Sequence, residues 1–413
     1  MERYCPKCQN TTKAEGVSVD VLQFACPHCR SLISYERGAE GRVEKQFDEP
    51  TVKPVFQVGQ KGTFDGIEYT VTGIVVKQVQ KFYYWREYIL TAEKDEQLYL
   101  SETDGHWILL RKIDDQYDVQ GYPEEYTYDD MVLKIYDYDD PKTFMAEGFF
   151  DYDVTPKRQR MIEYINPPYI YSVEETDNNE KSVYFGEHIS SRKVKKAFSA
   201  NNLPSSIGVG IVQPFAINLR YMGIIFSAMA IQILVSHIFI YMDRTSTPVL
   251  SESLSFYEYS GKDFVSKPFT LEGGSAPMTV KVSSNVDNSW AAVQVALVNE
   301  NTNEEVYASK DIEYYHGYDG GESWSEGSTS ETFNICGVSE GRYHFVVTPQ
   351  RAPDNTTPGV LQISASWNQP TAWNMIIPIV IMLILFVAVY FFRAYFNQRR
   401  WADSSYSPYH TND

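Results

Sequence analysis

The sequence predicts a mainly β, multidomain protein with two transmembrane helices. Two Cys-x-x-Cys pairs lie in the first thirty residues, strand-like alternation fills two long segments, and two apolar runs are long enough to cross a bilayer. In chain order, we expect a four-Cys zinc ribbon, a small antiparallel β barrel or sandwich, and an extracytoplasmic β-sandwich between the two helices.

These patterns also predict the domain boundaries. They are a zinc ribbon at 1–36, a linker at 37–54, a cytoplasmic β domain at 55–200, a linker at 201–220, a first transmembrane helix at 221–241, an extracytoplasmic β-sandwich at 245–370, a second transmembrane helix at 373–392 and a cytoplasmic tail at 393–413.

Composition excludes some classes of protein. The chain has 413 residues, a formal net charge of -18 and 31 Tyr. An acidic surface repels phosphates, so a free-standing nucleic-acid binder is not expected. The aromatic content predicts that most of the chain packs. Residues 1–30 lack the uninterrupted apolar core of a signal peptide.

The cysteines Cys5, Cys8, Cys26 and Cys29 form the pattern C-x2-C-x17-C-x2-C. This spacing is typical of a four-thiolate Zn²⁺ site, whereas a redox dithiol needs only one pair. Four protein ligands leave no open position, so we expect a structural zinc ion. The ribbon then either contacts a protein partner or only braces the neighbouring domain.

The segment after the first linker has short strands separated by turn residues. Asp65-Gly66 and Asp104-Gly105 are hairpin signals. Helical periodicity first occurs at about Ser191–Ala200. We therefore predict a β meander followed by a short helix.

The same segment carries the motifs G-x2-G-x3-G-x2-Y-x3-G, W-x-E-Y, L-x-E-x2-G-x-W, NPPYI and GEHI…AF. They are filled by Gly59, Gly62, Gly66, Tyr69, Gly73, Trp85, Glu87, Tyr88, Leu100, Glu102, Gly105, Trp107, Pro167, Pro168, Glu174, Gly186, Glu187, Ala197 and Phe198. The segment resembles a bacterial domain of unknown function that is catalogued only by a number. The resemblance implies an attached zinc ribbon and transmembrane helices, and no established catalytic activity.

Four carboxylates of this domain, Glu87, Glu102, Glu174 and Glu187, could form an acid–base pair. Each also lies in a strand pattern beside aromatics, where carboxylates commonly bond backbone amides. The sequence has no nucleophile elbow, P-loop, dinucleotide fingerprint or H-E-x-x-H motif, so we expect no catalytic residues. The Tyr- and Asp-rich stretch Tyr117–Asp153 could coordinate a cation or contact a basic partner, but we expect a solvated acidic loop with its rings packed below.

Between the apolar runs, regularly spaced turn clusters predict a β-sandwich of seven or eight strands. Cys336 lies in one strand and is expected to be buried and inert. The segment 314–329 is a candidate outer ligand loop for a carbohydrate, a peptide or calcium; the alternative is a hairpin that covers the end of the sandwich. Its candidate residues are Tyr318, Asp319, Glu322, Trp324 and Glu326.

Basic residues predict the orientation in a cell membrane. They cluster before the first helix and after the second, which places both termini in the cytoplasm and residues 243–371 outside. Gln232, Ser236 and His237 are polar positions in the first helix. Such groups usually face another helix, so we expect packing against the second span or another copy in a homo-oligomer.

These features together predict a membrane adaptor or sensor. The outer β-sandwich would be linked to a cytoplasmic zinc-ribbon and β-domain platform that recruits a protein partner. An enzyme with an unrecognised carboxylate site and an oligomeric structural component of the envelope are the alternatives.

Overall fold

The structure is a computed structural model that describes residues 2–15, 20–35, 41–93, 96–119, 121–177, 180–242, 244–353 and 359–409. The chain forms two compact units, Met1–Leu219 with Phe386–Asp413, and Arg220–Leu385. The predicted ribbon–linker boundary at 36 and 37, and residue 243, lie outside the described residues.

The first unit is almost entirely antiparallel sheet. Its elements are β1 (Glu2–Tyr4), β2 (Thr11–Lys13), β3 (Gln23–Ala25), β4 (Ser31–Ser34), β5 (Arg42–Gln46), β6 (Lys61–Phe64), β7 (Ile67–Val79), β8 (Tyr83–Ala92), β9 (Gln97–Thr103), β10 (His106–Ile113), β11 (Glu125–Tyr128), β12 (Met131–Asp139), β13 (Lys142–Phe150), β14 (Gln159–Asn166), β15 (Tyr169–Thr176), β16 (Lys181–Ile189) and helix α1 (Ser191–Ala197).

Most of these strands join one sheet. Its order is β11-β12-β14-β15-β16-β10-β9-β8-β7-β13-β3-β4-β5, with β6 paired to β7. Among the strands that the structure describes, the sheet does not close into the predicted barrel. The reason is that β13 pairs with the ribbon strand β3 on the side away from β7.

The two predicted Asp-Gly turns and the predicted short helix are confirmed. Asp65-Gly66 and Asp104-Gly105 connect β6 to β7 and β9 to β10, with φ of +48° and +84° in the first turn and +48° and +75° in the second. Positive φ at both central residues is the type I′ requirement. Helix α1 begins after Ser190, whose side chain accepts a hydrogen bond from the Lys193 amide.

Two predictions about irregular segments in this unit were wrong. The predicted linker at 37–54 contains β5, which pairs with β4, and Phe47 is buried in the core. The predicted acidic loop Tyr117–Asp153 contains β11, β12 and β13. Leu133 and Ile135 form a buried face of β12, and a register shift between Ile135 and Asp137 follows them.

The second unit contains ten strands, nearly all of one long helix and the N-terminal part of another. The remaining elements are α2 (Leu219–Tyr241), β17 (Thr247–Ser255), α3 (Phe256–Tyr259), β18 (Phe264–Val265), β19 (Phe269–Leu271), β20 (Ala276–Ser284), β21 (Ser289–Asn299), β22 (Glu305–Asp319), β23 (Glu322–Ser328), β24 (Ser330–Val338), β25 (Gly341–Arg351), β26 (Val360–Trp367) and α4 (Trp373–Arg400).

These strands form two antiparallel sheets, in the orders β17-β26-β20-β24 and β18-β25-β21-β22-β23, with β19 paired to β25. Val280 and Val282 from one sheet share a core with Val293, Val295 and Phe345 from the other. The predicted sandwich-like pairing of sheets is confirmed, with ten strands in place of seven or eight.

Cys336 was predicted to be buried, and this was wrong. It is exposed on β24, where its neighbour Ile335 is buried. Because side chains alternate across a strand, only one of two adjacent residues can face the core.

Helices α2 and α4 are long and apolar enough to cross a membrane, and their most apolar windows are not buried within the chain. The second helix continues beyond the predicted end at 392 to Arg400. Its last residues belong to the first unit.

Candidate metal centre and ligand cavity

The four cysteines lie on two similar turns. Cys5 and Cys8 follow β1, and Cys26 and Cys29 follow β3. In each turn the amide of the residue after the second cysteine donates to the carbonyl of the first, with Gln9 to Cys5 at 2.9 Å and Arg30 to Cys26 at 2.8 Å. Both of these residues have positive φ, which directs each pair of sulfurs to one side of its turn.

The sulfur positions fit a tetrahedral metal ion. The Sγ atoms of Cys5 and Cys29 are 3.6 Å apart, those of Cys8 and Cys26 are 3.7 Å apart, and all four lie within 4.8 Å of one another. Metal–sulfur bonds of about 2.3 Å in a tetrahedron separate the sulfurs by about 3.8 Å. Disulfide bonds, at about 2.05 Å, are far shorter.

The metal-binding turns are built into the neighbouring domain. Ala25 on β3 pairs with Gly148 on β13, and the rings of Phe24 and Phe149 stack with centroids 5.3 Å apart. The Gln23 side chain also accepts a hydrogen bond from the Val154 amide at 2.8 Å. The ribbon therefore packs directly against the β domain. Contact between the ribbon and a protein partner stays a prediction.

A cavity of about 520 Å³ lies in the first unit, within the range of small-molecule sites. Strands β7 to β10, β12 and β14 to β16 line it, together with the segment 207–213. Alternation explains its lining: on β14, Met161 and Glu163 face the cavity, while Ile162 and Tyr164 belong to a hydrophobic core.

Of the four candidate carboxylates, Glu87 and Glu174 line this cavity. Lys77 binds both: its Nζ lies 3.2 Å from Glu87 Oε2 and 2.5 Å from Glu174 Oε1, and its side chain is only 5% exposed. Burial alone would lower the pKa of Lys77, but Glu174 and Glu87 outweigh that effect and raise it, so the amine stays charged.

The other two candidates lie elsewhere. Glu102 is fully buried, forms an ion pair with Arg86 and accepts a hydrogen bond from the Gly105 amide at 2.7 Å. It stabilises the turn after β9, which is the structural role the sequence also allowed. Glu187 is exposed on β16. Of the four carboxylates named from the sequence motifs, two therefore lie in the cavity and two lie elsewhere.

Sequence reasoning missed five acidic residues of the cavity: Asp104, Asp137, Asp139, Glu163 and Asp403. Glu163 on β14 pairs with Asp137 on β12, and Asp139 follows two residues later. Burial, together with Asp137, Glu87 and Asp139, raises the pKa of Glu163 to about 8. Burial and its acidic neighbours raise the pKa of Asp139 to about 6. Simple alternation would place Asp137 and Asp139 on the core face with Leu133, and the register shift after Ile135 turns them to the cavity instead.

The end of α4 forms part of the cavity wall through Arg399, Ala402 and Asp403. Tyr136 holds this chain end in place through two contacts. Its hydroxyl donates a hydrogen bond to the Arg400 carbonyl at 3.0 Å, and its ring centroid lies 5.3 Å from that of Trp401.

Two further contacts hold the same chain end. The Ser404 hydroxyl donates to the Tyr136 carbonyl, and the Arg400 guanidinium donates to the Gln213 carbonyl. Ser404 and Trp401 are both buried. The apolar helix α4 is thus continuous with a chain end that is packed against the cavity.

The candidate outer ligand loop is the β22–β23 hairpin. Asp319 pairs with Glu322 beside the turn, and Tyr318 and Trp324 occupy adjacent register positions, so their side chains leave opposite faces. All five candidate residues, including Glu326, are exposed. Among the described residues the only group of three or more potential metal ligands within 4.8 Å is the cysteine cluster, so the hairpin does not gather such a set. A ligand there stays a prediction.

The three polar residues of α2 were predicted to bind another helix. Gln232 Nε2 donates to Ser236 Oγ at 3.2 Å, one turn away on the same helix, and the His237 ring lies 4.5 Å from that of Tyr241. Packing against another copy stays a prediction.

Comparison with known proteins identifies one part of the chain. Residues 57–191 match a family described as a domain of unknown function, DUF4178. A DUF4178 domain therefore supplies most of the cavity wall, and the match covers about a third of the chain. No curated protein matches the sequence.

Solved structures show only remote likeness. The insecticidal δ-endotoxin Cry8Ea1 of Bacillus thuringiensis is 10% identical over 77% of this chain and 54% of its own length, with a TM-score of 0.17. The chain thus spans about half of that toxin. A structure of carbohydrate-binding modules from the β-sandwich superfamily is 9% identical over 64% of this chain and 90% of its own, with a TM-score of 0.12. Neither likeness carries an argument about fold or function.

Proposed function

We propose that this protein is a membrane sensor and adaptor whose cytoplasmic β domain binds a small ligand. Both termini lie in the cytoplasm, residues 243–371 lie outside, and α2 and α4 cross the cell membrane. Ligand occupancy, or a signal received by the outer β-sandwich, changes the platform that recruits a protein partner.

One observation carries this proposal: the end of an apolar helix is also a wall of the ligand cavity. Arg399 and Asp403 line the cavity, and Trp401 packs on Tyr136 beside it. A ligand that prefers one position of this wall must bias the position of α4, and movement of α4 must change affinity for the ligand by the same factor.

The cysteine cluster supports the platform. Four thiolates in a reducing compartment favour a zinc ion, which four protein ligands hold in a structural role. Since β3 extends the sheet of the β domain through β13, the ion stabilises the edge of that domain. The partner then contacts the assembled platform, and the ribbon acts on recruitment through the fold.

The experiment is affinity purification of the full-length protein from native membranes with mass spectrometry of the proteins that accompany it. Trp401→Ala removes the packing on Tyr136, and Tyr409→Ala changes an exposed ring of the same tail. We expect a defined partner with wild type and with Tyr409→Ala, and about a tenfold reduction with Trp401→Ala. Recovery of the protein alone from wild-type membranes would reject the adaptor function.

An enzyme is the second candidate, because Glu87 and Glu174 do meet in a cavity. Lys77 bonds to both carboxylates, which holds them as ion-pair partners and weakens the case for a free general base. Glu174→Gln separates the two functions: a catalytic role predicts lost phenotype with unchanged recruitment, whereas a binding role predicts that both change together.

A further inference from the structure

The cavity carries a strong excess of negative charge. Seven carboxylates line it, from Glu87, Asp104, Asp137, Asp139, Glu163, Glu174 and Asp403. Arg399 in the wall and Lys77 behind Glu87 and Glu174 offset only two of them. Carboxylates held together at partly buried positions repel one another, and a cation between them removes that cost.

Aromatic rings form another large part of the lining. Five tyrosines, two tryptophans and one phenylalanine share the wall with the carboxylates: Tyr83, Tyr99, Tyr136, Tyr152, Tyr184, Trp85, Trp107 and Phe82. The rings of Tyr99 and Tyr184 meet edge to face at 5.0 Å, and the Trp85 indole donates to Glu87 Oε1 at 2.7 Å. Aromatic faces attract ammonium groups and pack on alkyl chains.

The carboxylates are also distributed along the wall. Asp137 and Glu163 are register partners on β12 and β14, whereas Glu87 and Glu174 are joined through Lys77. Within the described residues, no three acidic groups of the cavity come within 4.8 Å of one another. This separation disfavours a metal ion, which needs converging oxygen ligands, and suits an extended ligand with several positive groups.

We propose that the cavity binds a linear organic polyamine. One ammonium group lies at Glu163 and Asp137, another lies at Glu87 and Glu174, and the alkyl chain between them packs on the tyrosine rings. This inference rests on the proposed function, since it names the ligand of the same cavity. The volume of about 520 Å³ accommodates such a chain.

The test is isothermal titration calorimetry of the full-length protein in detergent micelles with spermidine as the probe. We expect saturable binding of one spermidine per chain. A neutral diol of similar length, 1,8-octanediol, and MgCl₂ should neither bind in the cavity nor displace spermidine. Absence of spermidine binding up to about 1 mM, or equal displacement by Mg²⁺, would overturn the proposal.

Variants locate the site. Glu163→Gln with Asp139→Asn replaces two carboxyl groups of the cavity with amides, and we expect about tenfold weaker binding or more. Asp403→Asn is a milder second variant at the helix end and should weaken binding by a smaller factor. Glu187→Gln removes an exposed charge outside the cavity and is the matched control. Equal loss in the control would mean nonspecific charge attraction and would reject the site.

A second readout separates this inference from the proposed function. Hydrogen exchange of residues 399–409 reports whether ligand binding changes the helix end. Spermidine binding with unchanged exchange there would keep the ligand class and reject the sensor mechanism. Exchange that responds to another compound, without spermidine binding, would reject the ligand class and keep the mechanism.

Discussion

The two units bury different kinds of side chain. The second unit packs Val280, Val293 and Phe345 between its sheets, and the buried polar residues described there are serines. Every buried charged residue that the structure describes, Lys77 and Glu102 among them, belongs to the first unit. Burying charge costs stability even when the charges are paired.

Under the proposed function, this difference distinguishes a sheet face that only stabilises the fold from one that also binds a ligand. A sheet face that needed stability alone would gain more from apolar residues of similar volume. In the first unit, the face opposite the cavity has such residues, including Leu133, Ile162 and Val173. Glu102 lies outside the cavity and is paired with Arg86. In contrast, Glu87, Glu163 and Glu174 lie on the cavity face, where a ligand could offset their cost.

Loss of the metal should give the largest difference in stability between the two units. Cys26→Ser should reduce bound zinc from about one per chain to near zero, because three thiolates hold the ion far less tightly. Structural zinc contributes roughly 10–16 kcal/mol in small ribbon-like peptides, so β3, β4 and the paired strand β13 should lose protection from hydrogen exchange. Metal analysis by mass spectrometry, together with hydrogen exchange, measures both effects.

Cys336→Ser is the control for this substitution. It changes an exposed thiol on β24, so metal content and exchange should equal those of wild type. Unchanged zinc content in Cys26→Ser would contradict the metal centre. Equal loss of hydrogen-exchange protection in both units would contradict the expectation that the metal stabilises the first unit alone.

The buried ion pair offers the next largest effect. Lys77→Met leaves Glu87 and Glu174 without their shared cation, and removal of one member of a buried pair costs about 3–5 kcal/mol. Lys310→Met removes an exposed pair with Glu331 in the second unit, 3.6 Å apart, and should cost less than about 1 kcal/mol. Hydrogen exchange of β7 and of β22 gives the two local opening free energies. Similar losses of opening free energy in the two variants would contradict the expected difference between a buried and an exposed ion pair.

Features fixed by neighbouring residues could be predicted from the sequence. The C-x2-C pairs, the two Asp-Gly turns and helix α1 each depend on a few consecutive positions. The apolar runs of α2 and α4 depend on composition alone. These predictions required no knowledge of which strands pair.

Features fixed by register could not be predicted. Glu163 meets Asp137 only because β14 lies beside β12, and Tyr136 meets Arg400 across 264 residues of chain. The missed strand β5 has five exposed residues, so its pattern carried no burial signal, and only its pairing with β4 reveals it. The cavity follows from such long-range pairings, so it could not be predicted from local patterns.

The smallest expected effect concerns Glu163 and its pH dependence. Its pKa is about 8 in the folded protein against an ordinary value of 4.5. Between these values the folded state holds a proton that the unfolded state has released, so this group lowers stability as pH rises through that window. Asp137 and Asp139 on β12, and Glu87 on β8, add to the shift, while Lys77 on β7 opposes it.

Glu163→Gln should therefore stabilise the first unit only at higher pH. Glutamine resembles the protonated acid, so the melting temperature of the variant should equal that of wild type near pH 4.5. By about pH 8.5 the variant should be more stable by roughly 1–2 kcal/mol, or a few degrees. Thermal unfolding followed by fluorescence at both pH values measures the difference, with the exposed Glu187→Gln as a control that should show none. A gain in stability that is equal at both pH values would mean that packing, and not ionisation of Glu163, causes it. The cavity face would then differ from the apolar core of the second unit in shape alone.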